Sequence, residues 1–141
     1  MERPFVRMEN FFNMDTLLDT GSILPVWTAS EEKLKAVGGK LIARDKPFGG
    51  FGGMTTGNIY EIQYFCIGEL TFPHFHIIAS PSDLPCQMLL SATMFHRLIY
   101  EIDDYNYALN ITVPDTESLV RDLRIKDVNG RLQVFCTNVE E

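Results

Sequence analysis

Along most of the chain, apolar residues recur at every second position or in short β-branched and aromatic runs, broken by glycine, proline, asparagine and aspartate. That alternation sends successive side chains to opposite faces of an extended strand, so it predicts a mainly β protein. Strands are predicted at Phe5–Glu9, Phe12–Leu18, Leu24–Thr28, Lys40–Arg44, Thr55–Gly68, Leu70–Ala79, Met88–Leu90 and Tyr105–Val113. Helix is the minority. Ser30–Val37 opens with a Ser followed by two Glu and closes on Gly38-Gly39, which are start and stop signals for one or two helical turns. Ala92–Tyr100 places Met94 and Leu98 on one stripe, flanked by Phe95 and Ile99, with Ser91 as its N-cap. Beyond Pro114 a short helix or turn near Thr116–Leu123 is expected, followed by a hairpin whose Asn129-Gly130 pair suits a type I′ turn.

Composition narrows what such a protein does. With 141 residues, 45% apolar and 22% charged, the chain suffices for one well-buried domain. The formal net charge of −7 argues against a nucleic-acid partner, because phosphate neutralisation needs clustered Lys and Arg. No apolar run reaches the roughly 18 residues that span a bilayer, and Met1-Glu2-Arg3-Pro4 lacks the apolar core of a signal peptide, so no membrane association is expected. Cys66, Cys86 and Cys136 are odd in number and widely spaced, which suggests neither a disulfide framework nor a thiolate metal site. A cytoplasmic protein without a cofactor is the expectation.

Three segments carry chemistry when taken together. In Leu17-Leu18-Asp19-Thr20-Gly21-Ser22, a buried strand ends under a carboxylate and Gly21 permits a sharp turn. Alone, an Asp-x-Gly after a strand is an ordinary turn whose side chain accepts from nearby amides. In Pro47-Phe48-Gly49-Gly50-Phe51-Gly52-Gly53-Met54, four glycines surround one aromatic, giving a hairpin tip with accessible backbone N–H groups and an apolar lid in Phe51. No phosphate-loop spacing is present. In Met88-Leu89-Leu90-Ser91-Ala92-Thr93-Met94-Phe95 an apolar strand end turns into a helix.

In this order and spacing the three segments resemble the retropepsin-like aspartic peptidases, the family of the retroviral protease, over roughly Phe5 to Val113. The resemblance implies a single-domain closed β-barrel (residues 1–113) with a glycine-rich flap hairpin and one short helix on the C-terminal side. Residues 114–141 would form an extension, a short helix or turn plus a hairpin, packed on the same domain. It further implies an aspartic endopeptidase acting on a polypeptide substrate, with Asp19 catalytic. Water attack on a peptide carbonyl needs a base and an acid, which two carboxyl groups sharing one proton supply. The chain holds one Asp-Thr-Gly, since Asp115-Thr116 is followed by Glu117 and Asp15-Thr16 by Leu17, so a homodimer is required. Thr20, Gly21 and Ser22 would support the site and Phe48, Gly49, Gly50, Phe51, Gly52 and Gly53 would form the flap. Ile23, Leu24, Leu89 and Leu90 would line apolar substrate subsites. The alternative is a retropepsin-fold module without catalysis, serving dimerisation or peptide binding.

Two positions depart from the family pattern. Ser91 stands where a Gly is usual, and Ala92 where an Arg is common; the carboxylate which that Arg would pair with is also missing from Ile23-Leu24-Pro25. Joint replacement of a buried ion pair is tolerable, whereas loss of one member strands the other. His74 and His76 share a strand face, as half of a metal site would, but no third ligand lies nearby in sequence and ordinary surface or hydrogen-bonded histidines are expected. Glu101, Asp103 and Asp104 read as a solvated turn after the helix, and Cys86 lacks a His partner that would make it a nucleophile.

Overall fold

The computed structural model describes residues 5–8, 14–19, 24–50, 53–67, 70–82, 88–95, 97–103, 108–114 and 116–139. In chain order the strands are β1 (Phe5–Met8), β2 (Met14–Asp19), β3 (Val26–Trp27), β4 (Lys40–Gly50), β5 (Gly53–Ile67), β6 (Leu70–Ala79), β7 (Met88–Ser91), β8 (Ile99–Asp103), β9 (Ala108–Thr112), β10 (Arg121–Val128) and β11 (Arg131–Asn138). One α-helix, α1 (Glu31–Ala36), and one 3₁₀ turn, Ala92–Phe95, complete the described elements.

Strand β6 organises the sheet. Its Leu70–Ala79 span is apolar at nearly every inward position, as a strand covered on both sides requires. Along one edge it pairs antiparallel with β5, from Asn58↔Ala79 to Ile67↔Leu70. Its other edge is shared by β3, parallel at Val26↔Ile78 and Trp27↔Ala79, and by β10, parallel at Leu123↔Phe75. From β3 the sheet continues through β7 and β2 to β1; from β10 it continues to β11. The expected barrel is therefore not closed among the described residues: β6 shares one edge between two strands, one continuing to β7, β2 and β1 and the other to β11, and these branches do not pair with each other. Strands β8 and β9 form a separate antiparallel pair.

Two apolar clusters lie against this sheet. The larger gathers Trp27, Leu34, Tyr60, Ile62, Phe65, Phe72, Phe75, Met88, Leu90, Met94 and Leu123, among others. Within it Phe65 stacks on Phe75 at 4.1 Å between ring centres and Phe72 meets Phe75 edge-on at 5.5 Å, geometries that add to plain area burial. The smaller cluster holds Leu24, Val26, Phe48, Ile59, Ile78, Leu89 and Ile125. Gly57 lies where β5 crosses close over β6: a Cβ there would sit 2.7 Å from the Ala79 carbonyl oxygen.

The helix at Ser30–Val37 forms as its end signals imply. The Ser30 hydroxyl accepts from Lys33 N at 3.4 Å, and Gly38 takes a left-handed φ of 95° after the last turn. Glu31 ties α1 to the sheet, its Oε1 accepting from Asn58 Nδ2 and Tyr60 Oη, each at 2.8 Å. The Asn58 bond, then the Tyr60 bond, pull the Glu31 carboxyl below its ordinary range, while burial first and then Glu31 push the Tyr60 phenol up to about 12.

The helix expected over Ala92–Tyr100 is corrected. Only the 3₁₀ turn Ala92–Phe95 forms; Arg97 adopts a left-handed φ of 63°, and the chain re-enters a strand at Ile99. Glu101 and Asp103 consequently lie in β8, while Asp104 lies outside the described residues. The tail hairpin matches its sequence signal: Val128 pairs with Arg131 across Asn129 and Gly130, at φ 56° and 81°, the two positive values a type I′ turn needs. Of the short helix or turn expected near Thr116–Leu123, the turn is present, and β10 begins at Arg121, inside the expected span.

Candidate active site

The chain leaves β2 at Asp19 and returns as β3 with β7 lying between them. Strand β2 is parallel to β7, Leu18 opposite Leu90 and Asp19 opposite Ser91, and β3 is antiparallel to β7, Val26 opposite Leu89. The Asp19-to-Val26 connection thus joins two strands on either side of β7 near the point where Ser91 opens the 3₁₀ turn. The parallel pair is apolar on the β7 side, with Met88, Leu89 and Leu90 all buried. Thr20, Gly21, Ser22 and Ile23 lie outside the described residues, and of Asp19 the structure gives the backbone position. Beyond the connection, Pro25 O accepts from Ile78 N at 3.1 Å, fixing the start of β3 to β6.

Ser91, the departure noted in sequence, is accommodated without exposure. Its residue is fully buried, and its Oγ lies 2.5 Å from Thr93 Oγ1 and accepts from Thr93 N at 3.2 Å. The hydroxyl is thereby satisfied by the first turn of the 3₁₀ segment, the role of an N-cap.

The glycine-rich segment forms the end of the β4–β5 hairpin. Phe48 pairs with Thr55, Gly49 with Met54 and Gly50 with Gly53; Phe51 and Gly52, which connect them, lie outside the described residues. Gly53 has a φ of 122°, a conformation that strains any side-chain-bearing residue. Met54 is 75% exposed, whereas Phe48 is buried at the root of the hairpin. Of the residues named for apolar subsites, Leu24 and Leu89 meet Phe48 in the smaller cluster, and Leu90 points to the opposite face of β7, into the larger one.

The histidines are engaged separately. His74 Nδ1 lies 3.2 Å from Asp122 Oδ1. His76 Nδ1 accepts from Ile125 N at 2.9 Å, which makes Nε2 the protonated nitrogen of the neutral ring, donating to Glu61 Oε1 at 3.1 Å. Among the described residues no group of three or more His, Cys, Asp or Glu side chains is placed to hold a metal, and no helix is long and apolar enough to cross a membrane. Cys86 lies outside the described residues; Cys66 and Cys136 are free thiols, and burial raises the pKa of Cys136.

The tail contributes what sequence reading missed. Ile125 of β10 enters the smaller cluster beside Leu24, Phe48 and Leu89, and Arg121, only 1% exposed, reaches the 3₁₀ turn. The signal is the phase of β10: Arg121, Leu123 and Ile125 fall on one face, so a cation occupies a position the alternation assigns to the interior.

No protein-family model matches the chain, and no curated protein sequence does. A crystal structure of a retropepsin-like aspartic protease from Rickettsia conorii is similar, with a TM-score of 0.53 at 18% identity, covering 78% of this chain and 89% of that one. At that identity the likeness is one of fold: the chain is mainly β, in an arrangement similar to that protein's.

Proposed function

We propose that the chain is a homodimeric aspartic endopeptidase, Asp19 of each copy facing its twin across a two-fold axis and the pair activating one water. The reading is supported above all by the position of Asp19: it is the last residue of a strand paired with β7, it is followed in sequence by Thr-Gly, and it lies in a fold similar to that of an aspartic protease. One carboxylate of the dyad takes the water's proton while the other, protonated, donates to the carbonyl oxygen. Activity is favoured where one proton is shared and lost where both groups ionise. Thr20 would donate across the axis to the partner's backbone near Leu18, a buried bond worth on the order of 1 kcal/mol net. Gly21 would present its carbonyl to the substrate, and Ser22 would support the same turn. The flap, Phe48–Gly53, would lie over an extended peptide as an added strand and exclude water.

Leu24 and Leu89, with Ile23, favour an apolar side chain beside the cut bond. The odd cysteine count and free thiols suit a reducing, cytoplasmic setting. One observation favours the non-catalytic reading, a dimerisation or peptide-binding module: Leu24, Phe48 and Leu89 are each less than 10% exposed within one chain, so the apolar wall is already closed. Digestion of an unfolded, apolar-rich protein at mildly acid and neutral pH separates the two. Cleavage that is blocked by a statine-type inhibitor and abolished in Asp19→Asn establishes the peptidase; a stable dimer without cleavage establishes the module.

A further inference from the structure

A polar network joins the tail to the 3₁₀ turn. Arg121 Nη1 donates to the Met94 carbonyl at 3.3 Å, its Nε to Asn138 Oδ1 at 3.3 Å, and its Nη2 to Glu117 Oε2 at 3.2 Å. Asn138 Nδ2 in turn donates to Glu117 Oε2 at 2.7 Å, and Cys136 Sγ approaches the Met94 carbonyl at 3.9 Å. A single buried guanidinium therefore binds three acceptors from three parts of the chain: the turn, the loop before β10, and β11.

Met94 is the residue that makes this more than a tail anchor. Its side chain is fully buried in the larger cluster while its carbonyl is taken by Arg121, so the turn is held from both sides. A 3₁₀ turn of four residues leaves its last carbonyls without intrahelical partners, and a buried carbonyl so placed needs a donor. The same turn is capped at its start by Ser91, the residue opposite Asp19. Met94, which Arg121 contacts, lies three positions after Ser91 of that register pair. Lysine is a poor substitute here, since one ammonium lacks the planar fork that meets three acceptors in fixed directions.

We propose that Arg121 is a positioning residue for the Asp19 site, bracing the Ala92–Phe95 turn so that Ser91 and the end of β2 keep their register, and that the tail hairpin is a working part of the site. This rests on the peptidase reading for its catalytic consequence, and on the network alone for its mechanical one. The test compares the full chain with Arg121→Lys and with the milder Glu117→Gln, which keeps a hydrogen-bonding side chain and removes its charge. Hydrogen exchange is followed at 92–95, at 14–19 and in the β4–β5 hairpin, alongside kcat, KM and the pH profile of kcat per inhibitor-titrated site.

In Arg121→Lys, exchange at 92–95 rises about tenfold or more and the rise spreads to 14–19, while the β4–β5 hairpin is unchanged. In the same variant kcat falls by about tenfold to a hundredfold with KM within about twofold, and the pH profile shifts; Glu117→Gln follows the same pattern more weakly. Faster exchange confined to 117–138, or a lowered melting temperature with kcat per titrated site unchanged, overturns the proposal and leaves Arg121 a purely structural residue. If wild-type protein cleaves nothing, the peptidase reading fails, and the spread of exchange from 92–95 to 14–19 still decides on the brace. Should Arg121→Lys not fold, Glu117→Gln carries the same outcomes.

Discussion

Two hairpins, β4–β5 and β10–β11, are anchored in the same place and built in opposite ways. Each sends large apolar side chains into the small cluster with Leu24 and Leu89, Phe48 and Ile59 from the first and Ile125 from the second. Past that root the described part of the β4–β5 hairpin narrows to glycines at positions 49, 50 and 53, with Met54 exposed beside them. The β10–β11 hairpin instead keeps an unbroken register from Arg121↔Asn138 to Val128↔Arg131, turns through Asn129-Gly130, and closes the turn with Gly130 N donating to Asp127 Oδ1 at 2.9 Å. One hairpin is rich in glycine near its end and the other carries side chains along its whole paired length. Where they meet, Lys46 Nζ lies 3.3 Å from Asp127 Oδ2, an exposed pair of small energetic weight.

The largest expected effects are at the two roots. Phe48→Ala removes an aromatic side chain from the small cluster and costs about 3–5 kcal/mol in urea unfolding. Ile125→Ala, in the same cluster, costs about 2–4 kcal/mol. If either cost less than about 1 kcal/mol, the shared anchorage would be wrong. Next comes the tail's turn: Asn129→Ala places a β-carbon side chain without local hydrogen bonding at φ 56° and costs about 1–2 kcal/mol.

A smaller effect depends on pH. The Asn138 amide above all, helped by Arg121 and opposed by burial, holds the Glu117 carboxyl below its ordinary range. A carboxyl whose folded pKa is depressed adds stability that is present above its unfolded pKa, near 4.3, and is lost as pH falls through the lower folded value. Wild type should thus exceed Glu117→Gln in melting temperature near pH 7, with the gap shrinking as the pH is lowered past that window; a gap constant with pH contradicts this. Tyr60, with its phenol raised to about 12, has the opposite sign, its contribution being present below pH 10 and lost between 10 and 12, where tyrosinate absorbance should show one late-titrating group absent from Tyr60→Phe. Smallest is Met54→Ala, expected to change stability by less than about 0.5 kcal/mol and to lower kcat/KM if the hairpin tip covers substrate.

Much of this fold is legible where local chemistry and tertiary demand agree. Leu70–Ala79 has the observed bounds of β6, Ser30 and Gly38 mark both ends of α1, and Asn129-Gly130 fixes the tail turn. The failures share a cause. Ala92–Tyr100 shows a helical stripe, yet a short apolar run fits a helix or a strand equally well, and pairing of Ile99–Asp103 with Ala108–Thr112 decides for the strand after Arg97 breaks the turn. Strand β4 runs on to Gly50 because a bulge around Asp45, at φ 52°, restores its register with β5 after Ala43. At the candidate site, the Asp19 strand and the glycine-rich hairpin are readable from residues close in sequence. The arrival of Arg121 at Met94 and of Ile125 at Leu89 is not, because it depends on β10 finding β6 across almost fifty residues.

The most direct measurement is calorimetric titration of the full chain with a statine-type inhibitor, alongside Asp19→Asn. A site built from one Asp19 of each of two copies predicts one inhibitor bound per two chains and no binding by the variant. One inhibitor per chain, or equal binding by Asp19→Asn, would contradict a shared dyad.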